Sequence, residues 1–319
     1  MEYIDIKEIN GFKIGNMEDE NGGTGVTSII CEKGAVAGVD VRGGGPATRE
    51  TDLLKSENMV DKIHAVCLSG GSAYGLEAAS GIMNYLEEKN IGFNVGVTVV
   101  PIVCGASLFD LVVGDKNIRP DREMGYRCCE KAYDGNFKEG NYGAGKGATV
   151  GKFIGIEKSM KSGIGAKAAK MGDIKAGAIV AVNALGDIYE NGKQIAGIYD
   201  RDKGILLNTE DIMIGMHDEN INVFEGNTTI SCFITNVKMT KANCNKLASI
   251  LHDGYARSIK PVHGSFDGDT VFVMSTCEVE GAFDSLAVMG TKIMEEAIVS
   301  GVKNAKSEYG FIAMEDINE

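Results

Sequence analysis

Residues 225–236, Glu-Gly-Asn-Thr-Thr-Ile-Ser-Cys-Phe-Ile-Thr-Asn, bring a Gly and an Asn up to a pair of threonines, and a strand-forming run begins at once. If the bond between Asn227 and Thr228 breaks, Thr228 carries both a hydroxyl and a free α-amine. An α-amine titrates near ~8, low enough to serve as a general base at neutral pH. Such a pairing activates a weak nucleophile without a histidine. Gly226 removes a Cβ where the backbone must bend sharply. A turn entering an ordinary strand has the same composition, so this pattern alone leaves both readings open.

Two further groups have residue types suited to the same chemistry. In residues 263–272, His-Gly-Ser-Phe-Asp-Gly-Asp-Thr-Val-Phe, Asp267 and Asp269 flank one Gly just before a strand. Two nearby carboxylates can orient a hydroxyl or amine and manage a proton. An acidic turn capping the strand would look the same, and the further acidic spacing of a calcium or magnesium loop is missing. In residues 181–189, Ala-Val-Asn-Ala-Leu-Gly-Asp-Ile-Tyr, Asn183 ends an apolar run. Its side-chain NH2 can face a developing oxyanion, or it can simply serve a turn.

Other segments exclude chemistry. Residues 143–152, Gly-Ala-Gly-Lys-Gly-Ala-Thr-Val-Gly-Lys, resemble a phosphate-cradling loop, but Lys152 precedes Phe153 where a Ser or Thr is required. Residues 68–75, Leu-Ser-Gly-Gly-Ser-Ala-Tyr-Gly, are neither a dinucleotide fingerprint nor a Gly-x-Ser-x-Gly elbow. They read as a tight turn opening a helix, whose first N–H groups can receive an anion. The cysteines Cys31, Cys67, Cys104, Cys128, Cys129, Cys232, Cys244 and Cys277 form no Cys-x-x-Cys pair, and the four histidines do not cluster near them. Buried reduced thiols in a cytoplasmic protein are expected, with no zinc site and no cofactor. The net charge of -13 does not suit a nucleic-acid binder. The charged first residues lack the apolar core of a signal peptide, and no apolar run reaches the roughly 18 residues of a membrane span.

The elements that must carry these residues are legible in part. Residues 63–71 read as a buried strand leaving its sheet at Gly70-Gly71. A helix follows, with Leu76, Ala79, Met83 and Leu86 on one face. Residues 176–189 read as a strand and turn, and residues 228–237 as a strand rich in β-branched and aromatic residues. Next comes a helix placing Cys244, Leu247, Ala248, Leu251 and Tyr255 together, with Thr240 as its N-cap. Residues 269–276 form a short strand and residues 285–305 a long amphipathic helix. Residues 114–148 and 201–227 read as long loops. The 43 glycines, against 4 prolines and no collagen-like repeat, are expected at turns and close backbone approaches. With no linker or internal repeat, interleaved strands and helices over residues 1–319 point to one α/β domain of stacked layers.

Taken in order, several motifs together closely resemble the DmpA-type peptidase family of L-aminopeptidase/D-esterases, β-aminopeptidases and nylon-oligomer hydrolases. They are GGGPATRETDLL, HAVCLSGGSAYGLEAASGIMNYLEE, VPIVCGASLFDL, GAGKGATVGK, KSGIGAKAAKM, AIVAVNALGDIY, GNTTISCFITN and LHDGYARSIKPVHGSFDGDTVF. The resemblance runs from about residue 10 to about residue 300. It implies a four-layer αββα sandwich of the N-terminal-nucleophile type, similar to ornithine acetyltransferase. It implies self-cleavage into residues 1–227 and 228–319, with Thr228 as the new N-terminal nucleophile. Asn183 then matches the oxyanion Asn. Asp267 and Asp269 match the pair that steers the nucleophile, in the Asp-Gly-Asp form of the nylon-oligomer branch. Lys152 matches a lysine near the nucleophile, with Lys161 the alternative. Phe109 stands where some members place a Tyr. The implied substrate is a short peptide or amide with a free amino end, and the implied assembly a tetramer of αβ units. An ornithine-type acetyltransferase would use the same Thr, but its Ala-Thr-Met-Leu type motif is missing. An unprocessed binding protein is the remaining alternative.

Overall fold

The computed structural model describes residues 1–217 and 226–317. In chain order the principal strands are β1 (Lys13–Asp19), β2 (Thr24–Val41), β3 (Lys62–Ser69) and β4 (Val103–Ser107). Helix α1 (Ala78–Glu88) lies between β3 and β4, and α2 (Arg122–Tyr133) follows β4. Then come β5 (Ile164–Met171), β6 (Ile174–Ala181), β7 (Asp187–Glu190), α3 (Thr209–Gly215), β8 (Ile230–Val237), α4 (Lys241–Ser258), β9 (Thr270–Val279) and α5 (Phe283–Lys303).

One hydrogen-bonded path runs β5-β6-β8-β9-β2-β3-β4, with β1 added to β2 and short strands at either end. Pairings along it are antiparallel except β8 with β9 and β3 with β4. The 18-residue β2 belongs to two half-sheets. Its first part pairs with β1 and β3, its last part with β9, and the register shifts between Ile30 and Ala35.

Strand alternation sends successive side chains to opposite faces, and here it builds three apolar interfaces. Between the half-sheets pack Ile29, Val66, Leu68 and Cys104 from one and Ile164, Ile179, Ile230, Cys232 and Phe272 from the other. Outward from the first half-sheet, Val26, Ile30, Ala65, Cys67 and Val103 meet α1 and α2. Outward from the second, Val180, Phe233, Val271 and Val273 meet α4 and α5. The order is therefore helix, sheet, sheet, helix: a four-layer αββα sandwich, as expected. The strand and helix readings at residues 63–71, 176–189 and 228–305 hold, and Thr240 caps α4 by accepting from the Asn243 N–H. All eight cysteines are free thiols, seven of them buried. Among the described residues no helix is long and apolar enough to cross a membrane.

Both expected long loops need correction. Residues 114–148 contain α2, capped by the Asp121 side chain on the Met124 N–H. Its buried face is Gly125, Cys128, Cys129 and Ala132. These are small side chains, which let the helix pack closely; a Cβ on Gly125 would stand 1.9 Å from the Ala78 carbonyl oxygen of α1. Residues 201–217 contain the strand Ile205–Leu207 and α3, capped by Asn208 on the Asp211 N–H. The part of that expected loop at 218–225 lies outside the described residues.

Candidate active site

Three strand ends converge at one end of the second half-sheet. Strand β8 is parallel to β9, with Ile230 level with Thr270, so the segments entering both strands arrive side by side. Strand β6 is antiparallel to β8, with Ala181 level with Ile230, so β6 exits at the same place. This topology brings Asn183, Asn227-Thr228 and Asp267-Gly268-Asp269 together, although more than 80 residues separate Asn183 from Asp269 in the chain. All are buried, as is Lys152.

The Asn227–Thr228 bond is held from both sides. The Thr228 N–H donates to the Asn183 carbonyl at 2.9 Å. The Gly268 N–H donates to the Asn227 carbonyl at 3.0 Å and to Thr228 Oγ1 at 3.1 Å. The Thr228 hydroxyl itself donates to the Asn227 carbonyl. The nucleophile candidate thus lies against the carbonyl of its own preceding peptide, and that carbonyl receives two donors. Gly268 is the only residue type that fits: a Cβ there would stand 2.7 Å from Thr228 Oγ1 and 3.1 Å from its Cγ2. The Asn227 side chain is buried, and among the described residues neither of its polar atoms has a hydrogen-bond partner.

Asn183 is fixed by its surroundings. Its Oδ1 accepts from Lys152 Nζ at 2.7 Å and from the Thr149 N–H at 3.1 Å. Lys152 Nζ also donates to the Asn183 carbonyl at 3.0 Å. Asn183 Nδ2 donates to the Phe109 carbonyl at 3.0 Å, which uses one of its two N–H groups. The Phe109 side chain packs on Gly226, where a Cβ would come within 2.4 Å of it. Lys161 is placed differently. Its Nζ donates to the carbonyls of Ser162, Ala148 and Gly145 at 2.6, 3.1 and 3.4 Å. Of the two candidate lysines, Lys152 is the one bonded to Asn183.

The two carboxylates flank Gly268, whose N–H meets the hydroxyl, and make their own bonds elsewhere. Asp267 Oδ2 accepts from the Gly264 N–H at 2.6 Å. Asp269 Oδ1 accepts from the Thr229 N–H at 2.8 Å, and its Oδ2 faces His263. Burial first, then the neighbouring Asp269 charge, pushes the Asp267 carboxyl up to about 7, against the opposing pull of the Gly264 N–H, Lys152 and His263. The loop carrying them is seated on the glycine run at 43–45: the Gly45 N–H donates to the Asp267 carbonyl at 2.8 Å and the Gly44 N–H to the Gly264 carbonyl at 3.2 Å.

Three residues of the site were not singled out from the sequence. Gly268 looks like a spacer between two acids until its N–H is placed. His263 is a lone histidine in a loop. Asp110, next to Phe109, accepts from Thr24 Oγ1 and the Gly71 N–H, both at 2.7 Å, and burial pushes it up to about 6. An acid inside the apolar run Leu108-Phe109-Asp110-Leu111 was its one visible signal. Among the described residues no group of three or more His, Cys, Asp or Glu is arranged to hold a metal ion.

Comparison with known proteins agrees with this architecture. The chain is 38% identical over 293 residues to an uncharacterized aminopeptidase of Mycobacterium leprae, covering 86% of this chain and 79% of that one. It is 33% identical over 273 residues to the 6-aminohexanoate-oligomer endohydrolase of Agromyces sp., covering 85% and 74%. Among solved structures, the L-aminopeptidase D-Ala-esterase/amidase of Ochrobactrum anthropi superposes with a TM-score of 0.71 at 17% identity, over 98% of this chain and 91% of that one. A Burkholderia sp. β-aminopeptidase gives 0.69 at 18% identity, over 98% and 92%. At these identities the structural likeness establishes the fold, a variant of the Ntn hydrolase fold. The model of Peptidase family S58 matches residues 5–314. The chain therefore belongs to Peptidase family S58, and its chemistry is the hydrolysis of peptide or amide bonds.

Proposed function

We propose that this protein is made as an inactive chain, cuts itself between Asn227 and Thr228, and then uses Thr228 to hydrolyse short peptides or amides that have a free amino end. The observation that carries this reading is the hydroxyl of Thr228 lying against the Asn227 carbonyl while the Gly268 N–H donates to both. In the first step Thr228 Oγ1 attacks the Asn227 carbonyl carbon. Negative charge develops on the Asn227 oxygen, where the Gly268 N–H already points. The C–N bond breaks, the proton lost by the hydroxyl ends on the leaving Thr228 nitrogen, and an ester joins Asn227 to Thr228. Water hydrolyses that ester, leaving a carboxylate on Asn227 and returning the Thr228 hydroxyl beside the amine already freed.

In turnover the freed amine takes the hydroxyl proton as Oγ1 attacks a substrate carbonyl. The Gly268 N–H and the Asn183 amide stabilise the oxyanion, with Lys152 holding Asn183 in place. The amine of the substrate leaves with a proton, and water releases the acyl group. The aminopeptidase and oligomer-hydrolase names of the relatives support a substrate with an amino end and a linear amide.

The test is the intact mass of the untagged protein under denaturing conditions. Two fragments matching residues 1–227 and 228–319 are expected, with each carrying an unmodified terminus. The Thr228→Ala chain is expected to keep one mass and show no amide hydrolysis. A fully processed, active Thr228→Ala protein would rule the reading out.

A further inference from the structure

Behind the Asp267-Gly268-Asp269 turn lies a group of rings for which the reaction above has no role. His263 has a φ of +61°, in the left-handed region that residues other than glycine enter at a cost. In that conformation its backbone N–H and its Nδ1 both meet Asp269 Oδ2, at 3.1 and 2.8 Å. Asp269 Oδ1 is met by the Thr229 N–H. Asp269 is thus contacted on both oxygens, whereas Asp267 has the single Gly264 N–H on its Oδ2 among the described residues. The imidazole is held from behind. It stacks on Tyr255, with ring centres 6.0 Å apart and planes 25° apart, and meets the His252 ring edge-on at 4.7 Å. Among the described residues its Nε2 is buried without a partner. A proton on Nε2 would be a buried, unmet N–H, and Nδ1 would then face the carboxylate lone pair to lone pair. The ring proton therefore belongs on Nδ1.

We propose that His263 is the positioning residue that fixes Asp269 and, through it, the backbone next to Thr228. By donating from Nδ1 it holds Asp269 as a fixed hydrogen-bond acceptor that anchors the Thr229 N–H. This rests on Thr228 being the nucleophile. The charged and titratable groups facing the His263 ring are Asp267, Asp269, His252 and Tyr255. Burial holds His252 down to about 4 and keeps the Tyr255 hydroxyl well above its ordinary value, so both are neutral near pH 7.

The experiment follows conversion of the full chain to its two fragments by denaturing mass spectrometry as a function of pH. It compares the natural chain with His263→Asn and His263→Ala. Asn enters the left-handed region readily and carries an amide nitrogen as many bonds from Cα as Nδ1 is. His263→Asn is expected to restore most of the plateau rate, and His263→Ala to lose roughly tenfold or more, the size of one charge-assisted hydrogen bond. A second measurement does not depend on processing. In the uncleaved Thr228→Ala chain, nitrogen–proton correlation of the four imidazoles, with His263 assigned by its loss in His263→Asn, should find the His263 proton on Nδ1. A proton on Nε2, or His263→Ala processing at the natural plateau rate, overturns the proposal. If His263→Ala does not fold, the Asn variant and the imidazole spectrum still decide. A natural chain that never processes defeats the Thr228 reading instead, and the imidazole spectrum still tests His263.

Discussion

Gly268 is the residue on which the proposed nucleophile and the proposed scissile carbonyl both depend, through one N–H and one missing Cβ. In Gly268→Ala the new methyl would overlap Thr228 Oγ1 at 2.7 Å, so the hydroxyl must move away from the carbonyl it is proposed to attack and the shared N–H must follow. Losing a donor to a developing oxyanion costs on the order of 10²-fold or more in rate. Self-cleavage of Gly268→Ala should slow by at least that factor, measured by the time course of fragment appearance. The thermal midpoint should change little, because the overlap is confined to the site. Cleavage at the natural rate would mean that the Gly268 N–H does not stabilise the oxyanion. The same residue shows where a sequence stops being readable. Asn183, Thr228, Asp267 and Asp269 could be picked out because their side chains can do chemistry. The working group of Gly268 is a backbone N–H that every residue except proline has. His263 was hidden for a related reason: its role depends on its contacts with Asp269 and Tyr255, which the fold makes and no spacing reveals.

At the scale of elements, the site depends on a loop tied down by a buried lysine. Lys161 bonds the carbonyls of Gly145, Ala148 and Ser162, and the chain from Ala148 runs directly to Thr149, whose N–H holds Asn183 Oδ1. Burial lowers Lys161 from 10.5 to about 7. Between those two values the unfolded chain keeps the proton and the folded chain releases it. The unfolded state therefore binds more protons, and the stability contributed by this group rises as pH rises from about 7 towards 10.5. Denaturant unfolding of the Thr228→Ala chain across that range should show the rise, and adding Lys161→Met should remove that component. An identical pH slope with and without Lys161 would show that the lysine stays charged when folded. Elements with large apolar residues at regular spacing, such as β8, α4 and α5, were legible in advance. Helix α2 was not, because its buried face is Gly125, Cys128, Cys129 and Ala132, and close backbone approach takes the place of bulky side chains. The pairing of β8 with β9 in parallel was also invisible. It comes from α4 crossing over between them, and no local pattern specifies which neighbour a strand will find.

For the whole molecule, the position of the proposed scissile bond decides what cleavage would leave behind. Residues 228–317 supply β8 and β9, two central strands of the hydrogen-bonded path, and α4 and α5, the helix layer that covers them. Strand β8 is bonded to β6 along Ala176–Ala181, and β9 is bonded to β2 along Val36–Val41. Both flanking strands belong to the fragment that ends at Asn227. Ile230, Cys232 and Phe272 fill the interface between the half-sheets, while Phe233, Val271 and Val273 fill the interface beneath α4 and α5. Fully burying a side chain of the Val, Ile or Phe kind stabilises by roughly 1.5–3 kcal/mol. Cutting one peptide bond removes none of these contacts and none of the strand ladder. The two fragments should therefore remain one folded body. Cleaved protein is expected to elute in native gel filtration at the position of the uncleaved Thr228→Ala chain, and to separate into two masses only when denatured. Elution of the fragment from residue 228 onward as a separate species would mean that the chain connection at Asn227–Thr228, rather than the central strands, holds the halves together.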